Sequence, residues 1–114
     1  MSIRVYEIIA AGALQGYFSQ LSAKMAQRRR IVRYCRSRSI DCVPTSIICN
    51  NYSRDMEKAC MLYQMGYADA IIIAGTEGWS ADEKDYFERL TTCKKVKTIN
   101  LDDLDYFVEV NCKL

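Results

Sequence analysis

Unbroken apolar runs alternate along this chain with longer stretches in which apolar positions recur every three or four residues. Ile3 to Ala11 is rich in Ile, Val and Tyr and ends in Ala10-Ala11-Gly12, which predicts a buried strand entering a turn. Gly12 and Gly16 bracket a short loop. A helix is predicted from about Phe18 to Arg38, with Leu21, Met25, Ile31, Val32 and Cys35 as an interrupted apolar stripe. Cys42 to Cys49 is the second predicted strand. Pro44 inside it argues for an edge strand, or for one that starts only after the proline. Ser53 is the expected N-cap of a helix over Arg54 to Met65, with Asp55 and Glu57 in the first turn and Gly66 as the stop. Ala68 to Ala74 is the clearest strand, and its unbroken apolar run predicts cover on both faces, as at the centre of a parallel sheet. Gly75 to Trp79 reads as a loop. Ser80 caps a third helix reaching about Thr91, with Glu83 in the capping-box position. Val96 to Leu101 is a last strand, and Asp102-Asp103 opens a short helix or turn toward Val110.

Strands and helices thus alternate with short connections. That order predicts an α/β fold, a single three-layer Rossmann-like or flavodoxin-like domain over residues 1–114. Its sheet is expected to be mainly parallel, with about four strands, centred on Ala68 to Ala74 with the first strand beside it. A length of 114 residues leaves no room for a second core. A composition that is half apolar excludes a disordered chain. No apolar run approaches the roughly 18 residues of a membrane span, so no membrane role is expected. The first residues show no signal-peptide pattern, which makes the cytoplasm the expected location.

Composition narrows the chemistry. The chain has no histidine, which removes the usual general base and every Ser-His or Cys-His arrangement. Acid–base work would have to come from carboxylates, Tyr, Cys or Lys. The six cysteines show no CxxC pair, the closest spacing being seven. They read as free thiols, buried or half-buried, and neither a metal site nor a cofactor is expected. Charge is divided unevenly. Residues 1–54 carry nine Lys/Arg against two acids, and residues 55–114 carry seven against twelve. No acid falls between Tyr17 and Ile40, where Arg29, Arg33 and Arg36 form a contiguous row at spacings of four and three.

Ligands of such sheets sit beyond the carboxyl ends of the strands. Gly12 to Gly16, Asn50 to Ser53, Gly75 to Ser80 and Asn100 to Asp103 are expected at that edge. Glycine lets backbone approach a ligand closely, although no dinucleotide fingerprint and no P-loop is present. Trp79, the only tryptophan, either stacks on a base or sugar or plugs the sheet end. The helix after it displays Asp82, Glu83, Asp85 and Glu88, either a candidate nucleophile or base or a solvated acidic face.

With those residues in place the chain resembles the nucleoside 2-deoxyribosyltransferase-like group of small Rossmann-type proteins, including the short versions of phage genomes. Their opening strand, of the type VYIAGPMSG, is similar to Val5-Tyr6-Glu7-Ile8-Ile9-Ala10-Ala11-Gly12-Ala13-Leu14-Gln15-Gly16, with an insertion. Asp69, Trp79, Ser80 and either Glu83 or Asp85 resemble the family's strand aspartate, loop Trp and Ser, and helix carboxylate. Two departures stand out. Gly12-Ala13 replaces the family's Gly-Pro, and no carboxylate falls in clean register with its nucleophilic glutamate. The resemblance implies a nucleoside or nucleotide ligand held by Gly12, Gly16, Trp79 and Ser80. It also implies that Asp69, Glu83 and Asp85 are the candidates for chemistry.

The alternative is a non-catalytic binding module, as in a viral or phage accessory protein. It would use Arg29, Arg33 and Arg36 against nucleic acid or an acidic protein surface. The opposed charge of the two halves also suits self-association, with a homodimer expected.

Overall fold

The computed structural model describes residues 3–42, 47–48 and 50–103. Strand β1 (Arg4–Ile9) leads to helix α1 (Tyr17–Ser37), then to the two-residue strands β2 (Asp41–Cys42) and β3 (Ile47–Ile48). Helix α2 (Tyr52–Gln64), strand β4 (Ala70–Ile73), a 3₁₀ turn (Thr76–Gly78), helix α3 (Ala81–Cys93) and strand β5 (Thr98–Asn100) follow. Residues 101–103 form a helical turn.

All the pairings among the described residues are parallel. The sheet runs β2-β1-β4-β5, with β3 also on β1. Three strands of three or more residues (β1, β4, β5) therefore form its body. The predicted strand from Cys42 to Cys49 is present as two short pieces that pair Arg4–Val5 and Ile8–Ile9 of β1. Those pieces lie at the sheet edge, the position a strand containing Pro44 requires. Residues 43–46 and 49, Pro44 included, lie outside the described residues, as does the predicted continuation from 104 to Val110.

Period-two alternation sorts the strand side chains into two cores. Val5, Ala70, Ile72 and Ala74 pack with Ile31 and Cys35 of α1. Ile8, Ala10, Ile71 and Ile73 pack with Met56, Ala59 and Cys60 of α2 and with Phe87 of α3. Helix α1 thus covers one face, and α2 and α3 cover the other. β4, the predicted centre, pairs on both sides and is buried throughout. The chain leaves β1 toward β2 and β3 on one side, then returns through α2 to β4 on the other. The strand order therefore reverses at β1, which opens a crevice beyond its carboxyl end.

Helix starts differ from expectation in one place. The N-cap of α2 is Asn51, not Ser53: the Asn51 side chain accepts from Arg54 N–H, and Ser53 Oγ donates to it at 3.0 Å. Asn at position 51 reaches the amide three residues on, whereas Ser53 already lies inside the helix. Asp55 completes the turn by accepting from the amides of Asn50 and Asn51 at 3.0 and 3.1 Å. Burial pushes the Asp55 carboxyl up, but these amides and Arg54 hold it below its ordinary value. Ser80 does cap α3, with the full capping box predicted for it. Gly66 closes α2 with φ 88°, a conformation natural to glycine. Cys35 and Cys60 are buried, as expected, and burial raises the Cys60 thiol. Cys93 instead is exposed at the end of α3.

Candidate functional site

The carboxyl end of β1 runs through Ala10 and Ala11 to Gly12, and there it meets α3 from above. Glu83 Oε1 accepts from Gly12 N–H at 2.9 Å and from Ser80 N–H at 2.7 Å, while Ser80 Oγ accepts from Glu83 N–H at 3.1 Å. One side chain therefore completes the capping box and also ties β1 to α3. A Cβ at Gly12 would stand 2.8 Å from Glu83 Cδ and closer still to Oε1. Gly12 is there because the carboxylate needs the space, and its φ is not unusual.

Beside this junction lies a hollow of about 300 Å³. Its walls come from separate parts of the chain: Ala11 and Gly12 from β1's end, Gln20 and Lys24 from α1, Asn50 and Tyr52 from the entry to α2, and Ser80 and Glu83 from α3. Gln20 Nε2 donates to Leu14 C=O at 2.8 Å, which fixes the loop before α1. The Tyr52 ring is set edge-on against Tyr86 at 5.5 Å. Among the described residues no carboxylate forms an ion pair with Lys24. The hollow thus offers a cation, amides, hydroxyls and a held aromatic ring at the point where the strand order reverses.

Of the residues singled out from sequence, the structure brings Gly12, Ser80 and Glu83 together here. The others lie apart. Trp79 is 2% exposed, edge-on to Phe87 at 5.5 Å, with its indole N–H donating to Gln27 Oε1 at 3.2 Å. It plugs the sheet end, so no face is open for a base to stack on. Gly16 caps α1 at φ 91° with nothing within 4 Å of a Cβ there, so its task is a turn conformation. Asp85 is exposed on the outer side of α3 and pairs with Arg89 at 3.1 Å.

Asp69 precedes β4, at the opposite end of the sheet from Gly12. Its Oδ2 accepts from Arg4 N–H at 2.8 Å, and that amide holds the exposed carboxyl below its ordinary value. Asp69, Glu83 and Asp85 therefore do not form one constellation. Arg29, Arg33 and Arg36 are exposed along α1, away from the hollow.

Asn50 and Tyr52 come from the segment expected at this edge, whereas sequence reasoning missed Lys24 and Gln27 as site residues, and it missed the role of Asp102. Gln27 is 2% exposed. Its Oε1 accepts from Ala10 N–H at 3.3 Å and its Nε2 donates to Ala10 C=O at 2.7 Å, pairing the backbone just past the end of β1. A polar residue on α1's buried stripe was the available signal. Asp102 accepts from Gly75 N–H at 3.1 Å and from Thr76 N–H and Oγ1 at 2.9 and 2.8 Å, and it pairs with Arg30. Burial pushes the Asp102 carboxyl up, but Arg30, Thr76 and Gly75 outweigh it and hold the group at about 2.

No helix among the described residues is long and apolar enough to cross a membrane. Among them, too, no three His, Cys, Asp or Glu side chains gather as a metal ion would require. No protein-family model, no curated protein and no solved structure matches this chain.

Proposed function

We propose that the protein binds a nucleoside or nucleoside monophosphate in the hollow at the carboxyl end of β1, within a three-layer Rossmann-like arrangement. The observation that carries this reading is the convergence of Gly12, Lys24, Asn50, Tyr52 and Ser80 around one hollow at the reversal of strand order. Its volume, about 300 Å³, lies at the lower end of ligand pockets, which favours a mononucleoside over a dinucleotide. Asn50 and Gln20 bring amides suited to a base edge or sugar hydroxyls. Lys24 brings a point charge suited to a phosphate. The resemblance of β1 and the Ser80–Glu83 segment to the deoxyribosyltransferase-like group points to the same ligand class.

The function proposed is binding rather than turnover. Among the described residues one carboxylate reaches the hollow, and its Oε1 is already occupied by two amide donors. The paired carboxylates that bond cleavage at a sugar carbon would call on are not assembled among the described residues.

Titration calorimetry with a panel of nucleosides and their monophosphates tests the proposal. Saturable binding of at least one member is expected, with Lys24→Ala weakening a monophosphate by about tenfold and its parent nucleoside by much less. Trp79 emission should change little, since the indole is enclosed. A flat response across the panel, or affinity indifferent to Lys24→Ala, overturns the reading.

A further inference from the structure

Helix α1 has a second face that neither the sheet nor the hollow uses. Phe18, Met25 and Val32 recur at spacings of seven along it, with Leu21 beside them. Phe18 is 82% exposed, Met25 52% and Leu21 40%. Gln27, Ile31 and Cys35, the buried side of the same helix, face the sheet instead. A seven-residue apolar seam on the outside of a 21-residue helix is the pattern by which one helix receives another. Three large apolar side chains left in water within two turns also mark an interaction surface.

The seam changes character along its length. Its first half, from Tyr17 to Met25, is apolar and aromatic. Its second half is bordered by Arg29, Arg33 and Arg36, all exposed. Met25 and Val32, with Arg28, Arg29, Arg33 and Arg36, line an open hollow of about 680 Å³. Helix α1 contains no acidic residue beside Arg29, Arg33 and Arg36.

We propose that this face docks an amphipathic helical segment of a partner protein, apolar along one half and acidic beside its apolar seam along the other. The lengthwise division selects that occupant. Nucleic acid would use the arginines but would leave Phe18, Leu21 and Met25 without a counterpart. A helix lying on an anionic membrane divides apolar from basic across its width, along its whole length. A second copy packed α1 on α1 would set arginine against arginine. The exposed side of its α3 brings Asp82, Asp85 and Glu88 but, among the described residues, no exposed large apolar side chain for the seam. An acidic, apolar helix meets both halves at once, with the charges setting its direction and register.

Fluorescence anisotropy with designed peptides as long as α1 tests this on the full chain. One peptide carries a leucine seam with glutamates flanking one half, and the control carries lysines in their place. The glutamate peptide is expected to bind, more weakly as salt rises, and about tenfold or more tighter than the lysine peptide. Arg29→Glu with Arg33→Glu should reverse that preference. Met25→Asp should weaken the glutamate peptide while the thermal melt and nucleotide titration stay unchanged, because Met25 lies outside both core clusters and outside the hollow beside Gly12. The proposal fails if the two peptides bind alike or not at all. It also fails if a DNA duplex or anionic vesicles are retained more tightly than the glutamate peptide. A homodimer in sedimentation that Met25→Asp dissociates would give the face to a second copy and overturn it too.

Discussion

The loops after β1 and β4 are held by the same device and come out differently. After β1, Glu83 takes the amides of Gly12 and Ser80. After β4, Asp102 takes the amides of Gly75 and Thr76. Each carboxylate arrives from a distant part of the chain to satisfy loop N–H groups that no strand or helix pairs. Asp102 is also matched by Arg30 and by the Thr76 hydroxyl, which fills its acceptor sites, while a hollow of about 530 Å³ lined by Gln27, Arg30, Gly75 and Asp102 lies beside it. Glu83 borders a hollow whose one cation, Lys24, stays unpaired by any described carboxylate. A carboxylate matched by its own cation has its charge answered within the fold. One whose neighbouring cation stands apart leaves a polar space that a ligand can complete.

The strongest way to break this comparison is at Gly12. Gly12→Ala drives a methyl group into the Glu83 carboxylate, and displacing it strands the amides of Gly12 and Ser80. A loss of about 3 kcal/mol in urea unfolding is expected, from overpacking together with a broken charge-assisted hydrogen bond. The variant Gly12→Ala with Glu83→Ala should cost clearly less than the sum of the single changes. Strict additivity would mean that Gly12 and Glu83 are not coupled.

Asp102 sharpens the other half. Its carboxyl is held at about 2 against an ordinary 3.8, so the folded state binds a proton less readily than the unfolded state. Its contribution is full above pH 3.8 and is lost as the pH falls through about 2. For a partly exposed pair that amounts to about 1–2 kcal/mol. Asp102→Asn should lower stability at neutral pH by that amount and flatten the acid limb between those values. An unchanged acid limb would remove the latch.

The smallest effect is expected at Lys24. Lys24→Ala should move the unfolding midpoint by under about 0.5 kcal/mol, as for surface substitutions away from buried networks. Its effect belongs in the nucleotide titration. A large stability loss there would make Lys24 a structural residue and dissolve the contrast with Arg30.

Local patterns were legible wherever the physics is local. The Ser80–Glu83 capping box spans three residues, and the apolar run around β4 announces cover on both faces by itself. Gly66 stops α2 for a reason contained in one backbone angle. Trp79 shows the limit: its sequence neighbours allow either a stacking platform or a plug. The answer came from Gln27, a residue 52 positions away.

Thus the sequence alone determined the alternating elements, the parallel central strand, the cap of α3 and the arginine row on α1, because periodicity and capping act over a few residues. Tertiary structure alone decided that Glu83 belongs to Gly12, 71 positions away, and that Asp102 belongs to Gly75 and Thr76. It also separated Asp69 and Asp85 from the hollow and put Lys24 beside it. The reason is that unpaired loop amides donate to whichever carboxylate the fold delivers, and which one arrives depends on strand order rather than on neighbouring residues.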